Sequence, residues 1–285
     1  MPGGWVQTAI MELEPTHVAD AMNGNSARFL GSGTFGWTWL VEGIGEGGNR
    51  HAVKILKPER FNRARVLREI QGMQRFDHPG IARLDEVRQI QIEGRELLAL
   101  VCDYIPGWSV EAAARSGQLP NNQEIRAFAS ALLRAVSALH EANTVHRDIK
   151  PDNIMLRDHD WSQPVLIDFG LSKAVSDLTV TQYPGRVGSP PWMAPEQLGG
   201  ERARKASDMW ACGVVLFQLL EGTHPYIDLS DPSLDIEDLY DMATAPHRPW
   251  TIAKPKKLVR LVNRLLTPDP LHARGSAKRA LKDIE

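Results

Sequence analysis

Cysteine is scarce in this chain, with only Cys102 and Cys212 among 285 residues. Both stand in apolar surroundings, which predicts buried free thiols and argues against a fold stapled by disulfides. Such cysteine usage fits a reducing compartment, and a cytoplasmic location is expected. Long hydrophobic runs are missing too. The longest candidate, residues 210–220, falls short of the roughly eighteen residues of a membrane span and is broken by Gly213 and Gln218. The first residues carry neither the basic start nor the apolar stretch of a secretory signal, so no membrane partner is expected. Charge of one sign does not accumulate: 33 basic against 35 acidic residues leave a formal net charge of -2. That balance predicts no nucleic-acid partner. Internal repeats and low-complexity tracts are absent.

What is present is the composition of an ordinary globular protein, 42% hydrophobic and 24% charged, in a chain long enough for a sizeable core. Residues 1–25 show no clean periodicity and read as an extension. From Arg28 the pattern turns to short strands. Leu30, the run Trp39-Leu40-Val41 and the run from Ala52 to Leu56 are strand-like, with a glycine-rich turn over 43–48 between the last two. Val66, Ile70 and Met73 recur at helical spacing over about 62–76, until Pro79 stops the run. Leu97 to Val101 is a continuous apolar strand, and Pro106-Gly107 marks a break. Beyond Pro120 the elements lengthen. Ile125, Phe128, Ala129, Leu132, Leu133, Val136 and Leu139 form one wide apolar stripe of a buried helix, and helical patterns return at 207–221 and 257–266.

Gly31-Ser32-Gly33-Thr34-Phe35-Gly36 has the GxGxxG form. When a helix follows, that form opens a dinucleotide-binding fold. Here Trp37-Thr38-Trp39-Leu40-Val41 follows, which reads as a strand, so the glycines sit in a hairpin whose backbone N–H groups can approach phosphate oxygens. A plain hairpin turn stays open as the alternative until Lys54 is added. A strand lysine such as Lys54 is commonly a solvated edge charge, and a helix glutamate such as Glu69 an exposed one. Their pairing would point the ammonium at a phosphate. The segment from His146 through Arg147, Asp148, Lys150 and Asn153 to Asp168-Phe169-Gly170 sets a base, a cation, a metal-binding amide and a metal-binding carboxylate in one order. Phosphoryl transfer from ATP requires that set.

Together these residues resemble the eukaryotic-type Ser/Thr protein kinase family, over about residues 28–282. The resemblance implies an α+β, bilobal protein-kinase-like fold: an extension over 1–25, a small β-rich N-lobe over 26–103 and a larger α-helical C-lobe over 104–285. It implies ATP and Mg²⁺ as cofactors, with Asp148, Lys150, Lys54 and Glu69 in catalysis and Asn153 and Asp168 as metal ligands. Nucleotide contacts fall to Leu30, Gly31, Ser32, Gly33, Thr34, Phe35, Gly36, Thr38, Ala52, Lys54, Cys102, Asp103, Tyr104, Ile105, Met155 and Ile167. Thr38 stands where the family usually has Val, keeping only a methyl of that apolar roof. Cys102 aligns with the residue guarding the back of the adenine pocket. His146 has a packing role in the family and no proton to transfer. Ser189 carries the hydroxyl expected to bridge Asp148 and Lys150, Glu196 pairs with Arg274, and Asp208 braces the catalytic loop. Arg147 before Asp148 implies activation-loop phosphorylation, with Thr179 or Thr181 as acceptors modified in trans by a transient homodimer. The expected partner is a protein substrate.

Three rivals have discriminating residues. A pseudokinase scaffold usually lacks an equivalent of Lys54, Asp148 or Asp168. A small-molecule phosphotransferase would lack Ala194-Pro195-Glu196 and Arg274. A tyrosine kinase is disfavoured by Lys150. Ser109 and Gln218 occupy positions where basic-directed relatives carry acids, which argues against strong selection for upstream arginine. Trp37 and Trp39, flanking Thr38, should project away from the nucleotide and be covered there, by the extension or by a partner.

Overall fold

The computed structural model describes residues 13–33, 36–45, 48–57, 76–168, 189–231, 233–251 and 254–284. The chain divides into two units, Met1–Glu59 with Asp85–Tyr104 and Arg60–Leu84 with Ile105–Glu285. Residues 62–75 of the expected helical pattern, which include Glu69, lie outside the described residues.

Period-two alternation builds the first unit. Strands β1 (Ser26–Ser32), β2 (Gly36–Ile44), β3 (Asn49–Leu56), β4 (Leu84–Ile92) and β5 (Arg95–Asp103) form one sheet in the order β1-β2-β3-β5-β4. The β2–β3 ladder pairs Thr38 with Lys54 and Leu40 with Ala52, and the β3–β5 ladder pairs Ala52 with Cys102. Successive side chains point to opposite faces. Trp39, Val41, Val53, Ile55, Ala99 and Val101 therefore share one face, where they form a buried core. The β4–β5 hairpin turns on Glu93 and Gly94, both at positive φ (51° and 75°), the backbone that suits the twist of a two-residue hairpin. β4 was not foreseen. It is the sheet edge, and Arg88 and Gln89 interrupt its apolar signal.

The segment before Ser26 holds more order than its sequence pattern implied. Pro15–Met22 forms helix α1, with proline in the first turn and Asn23 in the left-handed region at its end. Proline lacks only an N–H that a first turn leaves unpaired. Val18 and Met22, four residues apart on one side, are fully buried and join Leu13 in closing over Trp39 and Val41. Trp37, half-buried, packs against the same cluster. Arg88 Nη1 donates to the Met22 carbonyl at 2.7 Å, a cation satisfying the C-terminal end of the helix. Of the two covers expected for the indoles, the extension or a partner, the extension supplies this one through Leu13, Val18 and Met22.

The second unit is helical. Its described helices are α2 (Val110–Arg115), α3 (Asn122–Glu141), α4 (Pro195–Leu198), α5 (Lys205–Glu221), α6 (Ile236–Thr244), α7 (Lys256–Leu265) and α8 (Ala277–Ile284). A three-stranded sheet joins β6 (Gly107–Ser109), β7 (Ile154–Arg157) and β8 (Pro164–Leu166). α3 opens with a capping box in which Asn121 Oδ1 accepts from Gln123 N and Glu124 N while Glu124 Oε2 accepts from Asn121 N. Its predicted stripe is buried throughout. α5 is buried on nearly every side, as befits a central helix, and packs against α3 and α7, while α8 packs against α3. Cys212 is buried in α5; Cys102 is only half-buried, short of the full burial expected, and both are free thiols. Among the described residues no helix is long and apolar enough to cross a membrane.

If α1 is part of the core, Met22→Ala should lower the stability of the chain by about 2–5 kcal/mol. Urea unfolding followed by tryptophan fluorescence measures it, and an unchanged midpoint would contradict the packing.

Candidate active site

The first unit gathers the residues assigned to the nucleotide on one side of its sheet. Thr38, Ala52, Lys54 and Cys102 all fall on the face opposite the Val53–Val101 core, as the ladder registers require. Lys54 is buried, at 8% exposure. A β-carbon on Gly36 would sit 2.4 Å from the Ile55 carbonyl oxygen, so only glycine closes the hairpin there. At Gly31 and Gly33 a β-carbon would meet nothing within 4 Å among the described residues. Lys57 had no sequence signal. Its Nζ donates to the Gly33 carbonyl at 2.8 Å and lies 5.2 Å from the Trp37 ring centre, tying the glycine hairpin to the strand behind it. Thr34 and Phe35 lie outside the described residues.

In the second unit the chemistry is assembled around Asp208, near the start of α5 and almost fully buried. Its Oδ1 accepts the Arg147 N–H at 2.9 Å, and its Oδ2 accepts the His146 N–H at 2.9 Å and His140 Nε2–H at 2.8 Å. Two consecutive backbone N–H groups are thus aimed at one carboxylate, and directly after them the chain turns at Arg147, which stands at φ 75°. That conformation is uncommon for a residue with a side chain.

Asp148 follows directly. Asn153 Nδ2 donates to Asp148 Oδ2 at 2.9 Å and to its carbonyl at 2.8 Å; Ser189 N donates to Asp148 Oδ1 at 3.0 Å. Lys150 Nζ lies 3.4 Å from Asp148 Oδ2 and donates to Ser189 Oγ. The expected Ser189 bridge is therefore split. The hydroxyl holds the lysine while the backbone amide, rather than the hydroxyl, holds the aspartate. Asn153 directs its amide N–H groups at Asp148, which leaves Oδ1 as its acceptor, and Asp168 is the carboxylate that follows β8, at φ 61°. Two oxygen donors of this kind fit a hard cation such as Mg²⁺. Ile105, Met155 and Ile167 meet in one apolar cluster with Ala82 and Val165.

His146 is fully buried in the middle of this network. Its Nδ1 faces the Asp148 N–H at 3.4 Å and its Nε2 the Ile167 carbonyl at 3.1 Å. An amide can only donate and a carbonyl can only accept, so the ring is neutral with its proton on Nε2. Desolvation holds its pKa below the ordinary value despite nearby Asp208, Asp148 and Asp168. It is a pin between two loops.

The wall after Ser189 is fixed by a buried ion pair. Arg274, fully buried, forks onto Glu196 with Nη1–Oε1 at 2.8 Å and Nη2–Oε2 at 3.1 Å, and its remaining donors reach the Thr267, Ala206 and Pro268 carbonyls. Its guanidinium also lies over the Trp210 ring, which stacks on Tyr226. Nearby, His224 Nε2 donates to the Pro191 carbonyl at 2.9 Å while Nδ1 accepts from the Tyr226 and Ile227 N–H groups. Glu69 and residues 169–188, with Thr179 and Thr181, lie outside the described residues.

Residues 25–284 match the family model described as the protein kinase domain. The chain belongs to the protein kinase family, in its Ser/Thr branch. This kinase is 29% identical over 262 residues to serine/threonine-protein kinase PrkC of Bacillus subtilis, covering 90% of this chain and 39% of the relative. It is 32% identical over 262 residues to serine/threonine-protein kinase PkaA of Streptomyces coelicolor, covering 85% and 46%. It is 35% identical over 261 residues to CBL-interacting protein kinase 4 of rice, Oryza sativa subsp. japonica, covering 85% and 53%. The matched part of this kinase thus accounts for between two-fifths and a little over half of each of these relatives.

His224 makes a pH prediction. Burial lowers its pKa from 6.5 to about 4, so the folded state binds fewer protons than the unfolded one as pH falls through that window. Its contribution is complete above pH 6.5 and should be lost between about pH 6.5 and 4, by about 3 kcal/mol. Urea unfolding of this kinase and of His224→Gln across that range should show a shallower fall for the variant; parallel curves would refute the assignment.

Proposed function

We propose that this kinase transfers the γ-phosphate of Mg-ATP to Ser or Thr hydroxyls of protein substrates, with Asp148 as the base. The observation that carries the reading is the setting of Asp148. Donors from Asn153 and Ser189 fix both of its oxygens, so the carboxylate is held in one orientation before any substrate arrives. A held carboxylate can direct a substrate hydroxyl in line with a phosphoryl group and take its proton in the transition state. Lys150, tethered to Ser189, stands beside that carboxylate and would offset charge developing on the transferred group. Lys54 would hold the α- and β-phosphates, kept in direction by Glu69. By the family resemblance Thr38, Ala52, Cys102, Met155 and Ile167 would contact the adenine. Asn153 and Asp168 would hold magnesium, which when bound neutralises charge on the phosphate oxygens.

Regulation belongs to the same proposal. By the family resemblance the Arg147-Asp148 pair marks control by activation-loop phosphorylation, and a phosphate on Thr179 or Thr181 would supply about two charges and several acceptor oxygens. The phosphate would be added in trans by a transient homodimer. A cytoplasmic setting suits the two free thiols.

Two experiments test these roles. Asp148→Asn should reduce turnover by orders of magnitude with little loss of ATP affinity, whereas Asp168→Ala should abolish magnesium-dependent nucleotide binding. Phosphate transfer read by mass spectrometry, beside nucleotide titration, separates them; equal loss of affinity in both contradicts the assignment. For regulation, Thr179→Ala/Thr181→Ala should match the low activity of phosphatase-treated wild type, and full activity in the treated double variant would end that part of the proposal.

A further inference from the structure

The helical unit holds a cavity of about 580 Å³ that shares no residue with the nucleotide, metal or catalytic positions. Its size suits a small molecule. The cavity lies between the C-terminal end of α3 and the starts of α5 and α8, with Leu271 and Ala277 among its apolar lining residues.

Its charge is unbalanced. Arg204, Lys205 and Lys278 line it against the single carboxylate of Glu141. Glu141 is already engaged by Lys278 at 3.2 Å and by Ser137 Oγ at 2.9 Å. Arg204 pairs with Glu201 at 3.1 Å, but both ends are more than half exposed, and such pairs exchange readily for a better anion. Lys205 Nζ donates to Asn143 Oδ1 at 3.1 Å, a neutral amide that leaves its charge uncompensated by that contact. The excess of two cations over the lining carboxylate matches one phosphate group.

The cavity also reaches the catalytic loop. His140 lines it, and His140 Nε2 is bonded to the same Asp208 oxygen that accepts the His146 N–H. An occupant that shifts the end of α3 therefore acts one hydrogen bond from the carboxylate that positions Arg147 and Asp148.

We propose that this cavity is an effector site for a small phosphate-bearing molecule with an apolar body, and that occupancy alters turnover through His140 and Asp208. The turnover half rests on the kinase reading of Asp148; the binding half does not. Calorimetry on the full chain, with Mg-ADP saturating the nucleotide site, would use phenyl phosphate as the probe. Saturable binding is expected, at least tenfold weaker for inorganic phosphate and absent for phenol. Lys205→Gln/Lys278→Gln should weaken phenyl phosphate at least tenfold and leave basal kcat unchanged, with Arg204→Gln as an independent second variant. Asp148→Asn should bind the probe with wild-type affinity, which keeps the site separable from the activity assignment. No saturable binding, or unchanged affinity in both cavity variants, overturns the site. Equal binding of phenol overturns the phosphate, and equal binding of inorganic phosphate overturns the apolar body. A kcat that shifts less than twofold at saturation overturns the coupling.

Discussion

One buried carboxylate holds the catalytic loop in shape. Asp208 has almost no solvent to stabilise its charge, so its stability in the core depends on the three N–H donors directed at it. Two of those donors are consecutive backbone groups, at His146 and Arg147, and the chain turns directly after them through the left-handed backbone of Arg147. Asp208 thereby holds the backbone on the N-terminal side of a strained residue and pins the chain where it turns. Asp148, the next residue, inherits its position from that turn. Removing the carboxylate would free the loop to relax, and the base would be misdirected without any change in its own chemistry.

The wall after Ser189 uses a second buried charge pair on the same logic. Glu196 and Arg274 are 78 residues apart, and neither could stay inside alone. Their pairing ties α4 to the segment before α8 while Ser207 Oγ, on α5, donates to Glu196 as well. α5 therefore carries both devices: Asp208 toward the catalytic loop and Ser207 toward the wall. A central helix buried on nearly all sides has little freedom to move, and that rigidity is what lets it orient two loops at once.

Much of this was legible in sequence because the site is a matter of fixed short spacings. Asp148, Lys150 and Asn153 lie within six residues, and a loop that short holds them together wherever it sits. The α3 stripe was legible for the same reason, since a long periodic run outvotes local noise. α1 was not. Eight residues with Val18, Ala19 and Met22 on the buried side give too few repeats to stand out, and its partners, Trp39 and Val41, lie on β2, beyond the intervening strand β1. β4 escaped because an edge strand needs only one apolar face, and Arg88 serves α1 instead. Lys57 carries no local signal at all, as its target, the Gly33 carbonyl, exists only once the hairpin is formed.

The two histidines beside the site show why motif and geometry must be read together. By composition alone His146 and His224 are both candidates for proton transfer near neutral pH. In each, one ring nitrogen faces a carbonyl and the other faces backbone N–H groups. That pairing fixes a single neutral tautomer, and burial lowers the pKa of both rings. To accept a proton on Nδ1, His146 would have to break its contact to the Asp148 N–H, and His224 its contacts to the Tyr226 and Ile227 N–H groups. In the proposed mechanism proton transfer is left to Asp148, and the imidazoles act as neutral crosslinks between segments that no secondary structure joins.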